Sequence, residues 1–134
     1  MKRSIGLGLG FVLLATVPMT APVSAHHSLS HYDRARYVTI EGTVKEFLWS
    51  NPHARIVLVV AGEGGTKEWD FEGGSVNRLT NGGFNRNIIG RGDKVKVAYN
   101  PLRNGTPGGF FLAVTTPDGK MYGAERLKGY SGTN

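Results

Sequence analysis

The sequence predicts an all-β fold: a small five-stranded antiparallel barrel of the oligonucleotide/oligosaccharide-binding type, with one short helix. Three observations predict it. Glycine fills 20 of 134 positions, about twice its usual ~7%, so the chain turns often. The runs between turns are short and β-branched, with apolar residues at alternate positions. Their order is three strands, a short helix and two strands, which is the order of that barrel. The length limits the chain to one small core. The lack of cysteine excludes a disulfide scaffold, a zinc ribbon, an iron–sulfur site and a thiol nucleophile.

The chain opens with Lys2 and Arg3, an uncharged apolar run over 5–17, then Pro18, Pro22 and the small residues Val23-Ser24-Ala25. This is the pattern of a cleaved secretory signal peptide over residues 1–25. It leads us to expect a periplasmic or secreted protein. The apolar run is shorter than the ~20 residues of a bilayer span, and no second run follows. The mature form is therefore expected to have no membrane span. Losing Lys2 and Arg3 lowers the formal charge from +6 to +4, too small an excess to indicate nucleic acid or anionic lipid.

Residues 26–37 are polar and aperiodic and read as a His-rich arm. The barrel is expected over 38–120. Val38, Ile40, Gly42 and Val44 alternate with Thr39, Glu41 and Thr43. Phe47 and Trp49 continue the apolar set after a shift at Lys45-Glu46, as a bulge produces. Ser50-Asn51-Pro52-His53 turns the chain. Residues 54–60 form the second strand, closed by Gly62, Gly64 and Gly65. Residues 67–72 form the third, with Trp69 and Phe71 on one face and Glu68, Asp70 and Glu72 on the other. Ser75 is placed to cap a short helix carrying Val76 and Leu79, which fades at Asn81-Gly82-Gly83. A turn over 90–93 launches a strand with Val95, Val97 and Tyr99 inward and Lys94 and Lys96 outward. A glycine- and proline-rich loop over 104–109 leads to the fifth strand over 110–116. The tail, 121–134, shows no pattern.

Several of these pieces together resemble a known family. They are Ala25-His26-His27-Ser28, Glu41-Gly42-Thr43-Val44, Trp49-Ser50-Asn51-Pro52-His53 and Glu72-Gly73-Gly74-Ser75. Gly92-Asp93-Lys94-Val95, Pro101-Leu102-Arg103-Asn104-Gly105 and Pro107-Gly108-Gly109 complete the set. The family is one of small secreted bacterial proteins classed as a domain of unknown function, number 6152. The resemblance covers nearly all of the mature chain and implies an exported small β-domain, with no established activity.

The chemistry must come from the residues themselves. All four histidines lie early: His26, His27 and His31 in the arm and His53 in the first turn. Cleavage after Ala25 makes His26 the first residue. Its free amine and ring Nδ1 can then close a chelate, and one more imidazole completes a three-nitrogen brace. His53 is the leading candidate for that imidazole, with His27 and His31 in reserve. Such ligands suit Cu(II), and also Zn or Ni. No organic cofactor is indicated. Solvated arm histidines and a merely structural His53 are the alternative.

Trp49, Asn51, Arg103 and Asn104 are further candidate binding residues, the first two at the first turn and the other two at the start of the 104–109 loop or directly before it. Trp49 also fits a rim aromatic. A solvated strand face accounts for the carboxylates at 68, 70 and 72. No Gly-x-Ser-x-Gly elbow or phosphate loop occurs. Nucleic acid would need aromatics and cations on the exposed faces of strands two and three, and the third strand offers carboxylates instead. The expected function is thus a non-catalytic exported binding protein with a metal ligand. The alternative is a periplasmic protein-interaction module without metal, and an oxidising mononuclear copper enzyme is a third class.

Overall fold

The computed structural model describes residues 29–123. The signal segment, His26, His27 and residues 124–134 lie outside the described residues. After a 3-10 turn over Leu29–His31 come strands β1 (Val38–Leu48), β2 (Arg55–Gly62) and β3 (Gly65–Glu72), helix α1 (Val76–Asn81), then β4 (Lys94–Pro101), β5 (Gly108–Thr115) and β6 (Met121–Gly123). The sheet runs β3-β2-β1-β4-β5-β6, and an additional β3–β5 pairing closes the first five strands into a barrel.

β1 serves two neighbours because it is long and bulged. Val38–Thr43 pair with β4, and Thr43–Leu48 pair with β2, with a register shift between Val44 and Glu46. This is where the apolar alternation slips in the sequence. The extra residue increases local twist and lets one strand turn from one side of the barrel to the other. The closing pair is parallel: Asp70, Phe71 and Glu72 oppose Gly108, Gly109 and Phe110. An antiparallel barrel was expected throughout, and this pair is the exception. Hairpin connections make neighbours antiparallel, but β3 and β5 are joined through α1 and β4, so their relative direction is set by closure.

Two glycines at the start of β5 let it lie close to both neighbours, β3 at the closing pair and β4 beside it. A Cβ on Gly108 would stand 2.0 Å from the Asp70 carbonyl oxygen, and one on Gly109 would stand 2.2 Å from that of Asn100. The Gly108 φ of 141° is itself a conformation that side chains rarely adopt.

The interior is filled from every strand. Val44, Ile56, Leu58, Phe71, Val97, Phe111 and Val114 are buried, and Leu79, Phe84 and Ile89 join the same cluster. Each such side chain contributes about 1.5–3 kcal/mol through removal from water. Trp69 stacks on Phe71 with centroids 6.3 Å apart, and Tyr99 meets Phe71 edge-on at 5.0 Å. The inward set expected on the third and fourth strands is the inward set observed. Lys94 and Lys96 are exposed, as expected. Ser75 caps α1, its hydroxyl accepting from the Arg78 amide at 3.4 Å, and Gly82 ends the helix.

The chain beyond 120 departs from expectation. Met121–Gly123 form β6, paired with Ala113–Thr115 of β5. Three residues are too few to display a period of two, and the pairing is set by the 117–119 turn. Among the described residues no helix is long and apolar enough to cross a membrane.

Candidate functional site

His53 ends the turn that leads from β1 to β2. Asn51 and Pro52 precede it, joined by a cis peptide bond. Ala54, next in the chain, is fully buried and pairs through its backbone with Gly73 and Gly74. That ladder brings the turn against the end of β3. His53 Nδ1 lies 2.9 Å from the Gly73 carbonyl oxygen and 3.1 Å from Glu72 Oε1. The Ser50 hydroxyl donates to the His53 carbonyl at 3.4 Å. The imidazole is one-third exposed, accessible yet held.

The second oxygen of Glu72 reaches the arm. Tyr32 donates its phenol to Glu72 Oε2 at 2.9 Å. Burial, and then this bond to a carboxylate, push the Tyr32 phenol well above the ordinary tyrosine range, so it stays protonated and remains a donor. Tyr32 also packs on Phe110, with centroids 5.5 Å apart, and bridges Leu102 in the sheet sense.

These groups line a cleft of about 400 Å³ with Ala54, Arg55, Asp70, Leu102, Thr106, Pro107 and Gly109. It lies on strands β2 and β3 between the β1–β2 turn and the β4–β5 loop, where barrels of this type take their ligands. Arg55 grips Asp70 through both guanidinium edges, Nε to Oδ1 at 2.6 Å, and this pairing raises the guanidinium pKa further. With that pair neutral, the Glu72 carboxylate leaves the cleft suited to a cation. A larger groove of about 520 Å³ is lined by Glu41, Lys94, Lys96 and Thr115 among others, and it contains none of the candidate residues.

The structure separates the sequence candidates. His53 faces the cleft. His31 is exposed, and its carbonyl accepts from the Arg103 amide at 2.9 Å. Arg103 Nε donates to the Ser30 carbonyl at 3.1 Å, so Arg103 clamps the arm to the β4–β5 loop. Asn104 Oδ1 accepts from the Thr106 amide at 3.0 Å and shapes that loop. Asn51 Oδ1 accepts from the Val76 amide at 3.0 Å, at the start of α1. Trp49 is half-buried, edge-on to Phe47 at 5.7 Å, the rim placement that was the simpler expectation. Among the described residues no three His, Asp or Glu side chains gather as a metal cage.

Tyr32 and Glu72 were not singled out from the sequence. An aromatic inside a polar arm was the available signal for Tyr32. Glu72 was read as one of three solvated carboxylates, yet it differs from Glu68 and Asp70 in being half-buried. The register Arg55↔Glu72 is what puts it beside the first turn.

No curated protein and no solved structure matches the chain. A family model described as a family of unknown function, DUF6152, matches residues 14–111, which includes the arm, the His53 turn, Glu72 and all of the β4–β5 loop. That match spans more than half of the sequence, and the chain therefore belongs to this family.

Proposed function

We propose that the chain is a small exported, non-catalytic binding protein that takes a d-block metal ion, Cu(II) first and Zn or Ni after it. His53 supplies one imidazole. Cleavage after Ala25 supplies the amine and ring of His26, with His27 and His31 as reserves. The observation that carries this reading is the docking of the arm: Tyr32, Leu102 and His53 line one cleft, and Arg103 pins Ser30 and His31 beside it. Leu29 is three residues from His26, a reach of about 10 Å in extended chain. The described part of the arm is thus anchored at the cleft that His53 lines.

The chemistry predicts a distinctive pH response. An amine or an imidazole binds metal only through a deprotonated nitrogen, and protons compete with the metal for each one. Affinity should fall steeply from about pH 8 to about pH 5. The test is Cu(II) titration of protein beginning at His26, of a form with one residue added before it, and of His53→Ala. Both changes should weaken binding sharply while leaving the fold intact, because one turns the amine into an amide and the other removes a ligand. Equal affinity of the extended form would refute the brace. Absence of copper binding by the authentic form would favour the protein-interaction reading, for which the open cleft would be the docking surface.

A further inference from the structure

We propose that Glu72 is a positioning residue of this site, holding the His53 ring with one carboxylate oxygen and the N-terminal arm with the other. The proposal rests on the metal reading above and adds the group that brings the two halves of the site together.

The His53 side is a matter of tautomer. Nδ1 faces two acceptors, Gly73 O at 2.9 Å and Glu72 Oε1 at 3.1 Å. A ring nitrogen between two acceptors carries the proton. The lone pair of the neutral ring is then on Nε2, which makes Nε2 the coordinating atom. Histidine ligands characteristically donate their second nitrogen to a carboxylate or a carbonyl, which fixes ring orientation. Here consecutive residues, Glu72 and Gly73, supply one of each.

The arm side is a matter of reach. Tyr32 is held by Glu72 Oε2, and it is six residues from His26. Six residues of extended chain reach at most ~20 Å, so a tether at Tyr32 is expected to raise the effective concentration of the His26 nitrogens at His53. Glu72 can perform both tasks because its backbone is fixed on two sides, opposite Arg55 in β2 and Phe110 in β5. Each of its oxygens is engaged by a neighbour, so the carboxylate orients ligands and is not itself one.

The experiment titrates Cu(II) alone into protein beginning at His26 and into Glu72→Ala, Glu72→Gln, Tyr32→Phe and Glu68→Gln. Electron paramagnetic resonance spectra are recorded at saturation, and circular dichroism verifies each fold. Glu72→Ala should weaken binding about 10–100-fold and alter the nitrogen hyperfine pattern, since the His53 ring is released. Glu72→Gln keeps an oxygen toward Nδ1 and should recover part of that loss. Tyr32→Phe should cost less affinity and leave the spectrum unchanged, because it acts only on tethering. Glu68→Gln removes the same charge from the same face of β3 at an exposed position outside the cleft and should stay within about twofold of wild type, as screened exposed charges do. If Glu72→Ala fails to fold, Glu72→Gln and Tyr32→Phe carry the test. Wild-type affinity and spectrum in the folded Glu72 variants overturn the proposal while the metal reading stands. So does a loss in Glu68→Gln as large as in Glu72→Gln, which would reduce Glu72 to a net charge. Wild type that binds no copper overturns the metal reading itself.

Discussion

On β3, Trp69 and Phe71 face the barrel interior, while Asp70 and Glu72 face the cleft beside His53. Two environments thus share one strand and alternate along it. Inside, contacts are apolar and non-directional, and many rings and branched side chains fill one volume. In the cleft, the contacts that fix direction are specific polar pairs: Tyr32 with Glu72, Glu72 with His53, Arg55 with Asp70. Apolar burial scales with area and supplies most of the stability. A polar pair exchanges protein for water as partner, so its net contribution is only ~1 kcal/mol, but it fixes direction. The interior therefore decides whether the barrel exists, and the cleft decides where a few side chains point.

The difference can be broken at its strongest point. Phe71→Ala removes a fully buried ring that contacts Trp69 and Tyr99. It should cost about 3–5 kcal/mol, enough to unfold most molecules of so small a domain. Trp69→Ala should cost somewhat less, because Trp69 is only partly buried. Thermal and denaturant unfolding measure both. Equal damage from an Asp70 substitution would show that the two faces of β3 are not energetically distinct.

A second change tests where the regions meet. Gly108 lies opposite Asp70 in the parallel closing pair. Gly108→Ala drives a Cβ into the Asp70 carbonyl and should cost ~1–3 kcal/mol. Unlike a loss deep in the interior, it should also disturb copper affinity in molecules that still fold, since Asp70, Glu72 and Gly109 all line the cleft. Unfolding curves paired with Cu(II) titration at low temperature separate the two effects. Loss of stability with unchanged affinity would mean that the cleft does not depend on closure.

How far the sequence reached follows the same division. Alternation exposed the inward set Trp69, Phe71, Val95, Val97 and Tyr99, because a period of two is local and every strand repeats it. The bulge at Lys45-Glu46 and the Ser75 cap were equally local. The parallel closing pair was not legible, because nothing in β3 or β5 alone records the direction of a partner two elements away. Nor was β6, too short to show a period. Of the cleft, His53 was visible as a histidine in a turn. Tyr32 and Glu72 were not, since their bond spans forty residues and depends on the register of the β2–β3 hairpin. Arg103 and Asn104 stood out as loop residues, and the contacts they make are with the arm and within the loop.

The smallest expected effect sharpens the comparison most, because it uses two carboxylates on one face of one strand. Glu68 and Glu72 are four residues apart and share the outward side of β3. Glu68 is exposed and pairs with Lys45, itself exposed. Such a pair gains little from attraction through water and must immobilise two long side chains, so its net worth is ~0–1 kcal/mol. Glu68→Ala should therefore shift the unfolding midpoint by less than ~0.5 kcal/mol equivalent and leave Cu(II) affinity and spectrum unchanged. Glu72→Ala should alter both binding and spectrum, because its neighbours are a half-buried phenol and a held imidazole. The same residue type on the same face differs only in what the barrel brings next to it. A Glu68 variant that loses copper as Glu72→Ala is expected to would mean that the whole acidic face attracts the ion, and that the register placing Glu72 beside His53 has no special role.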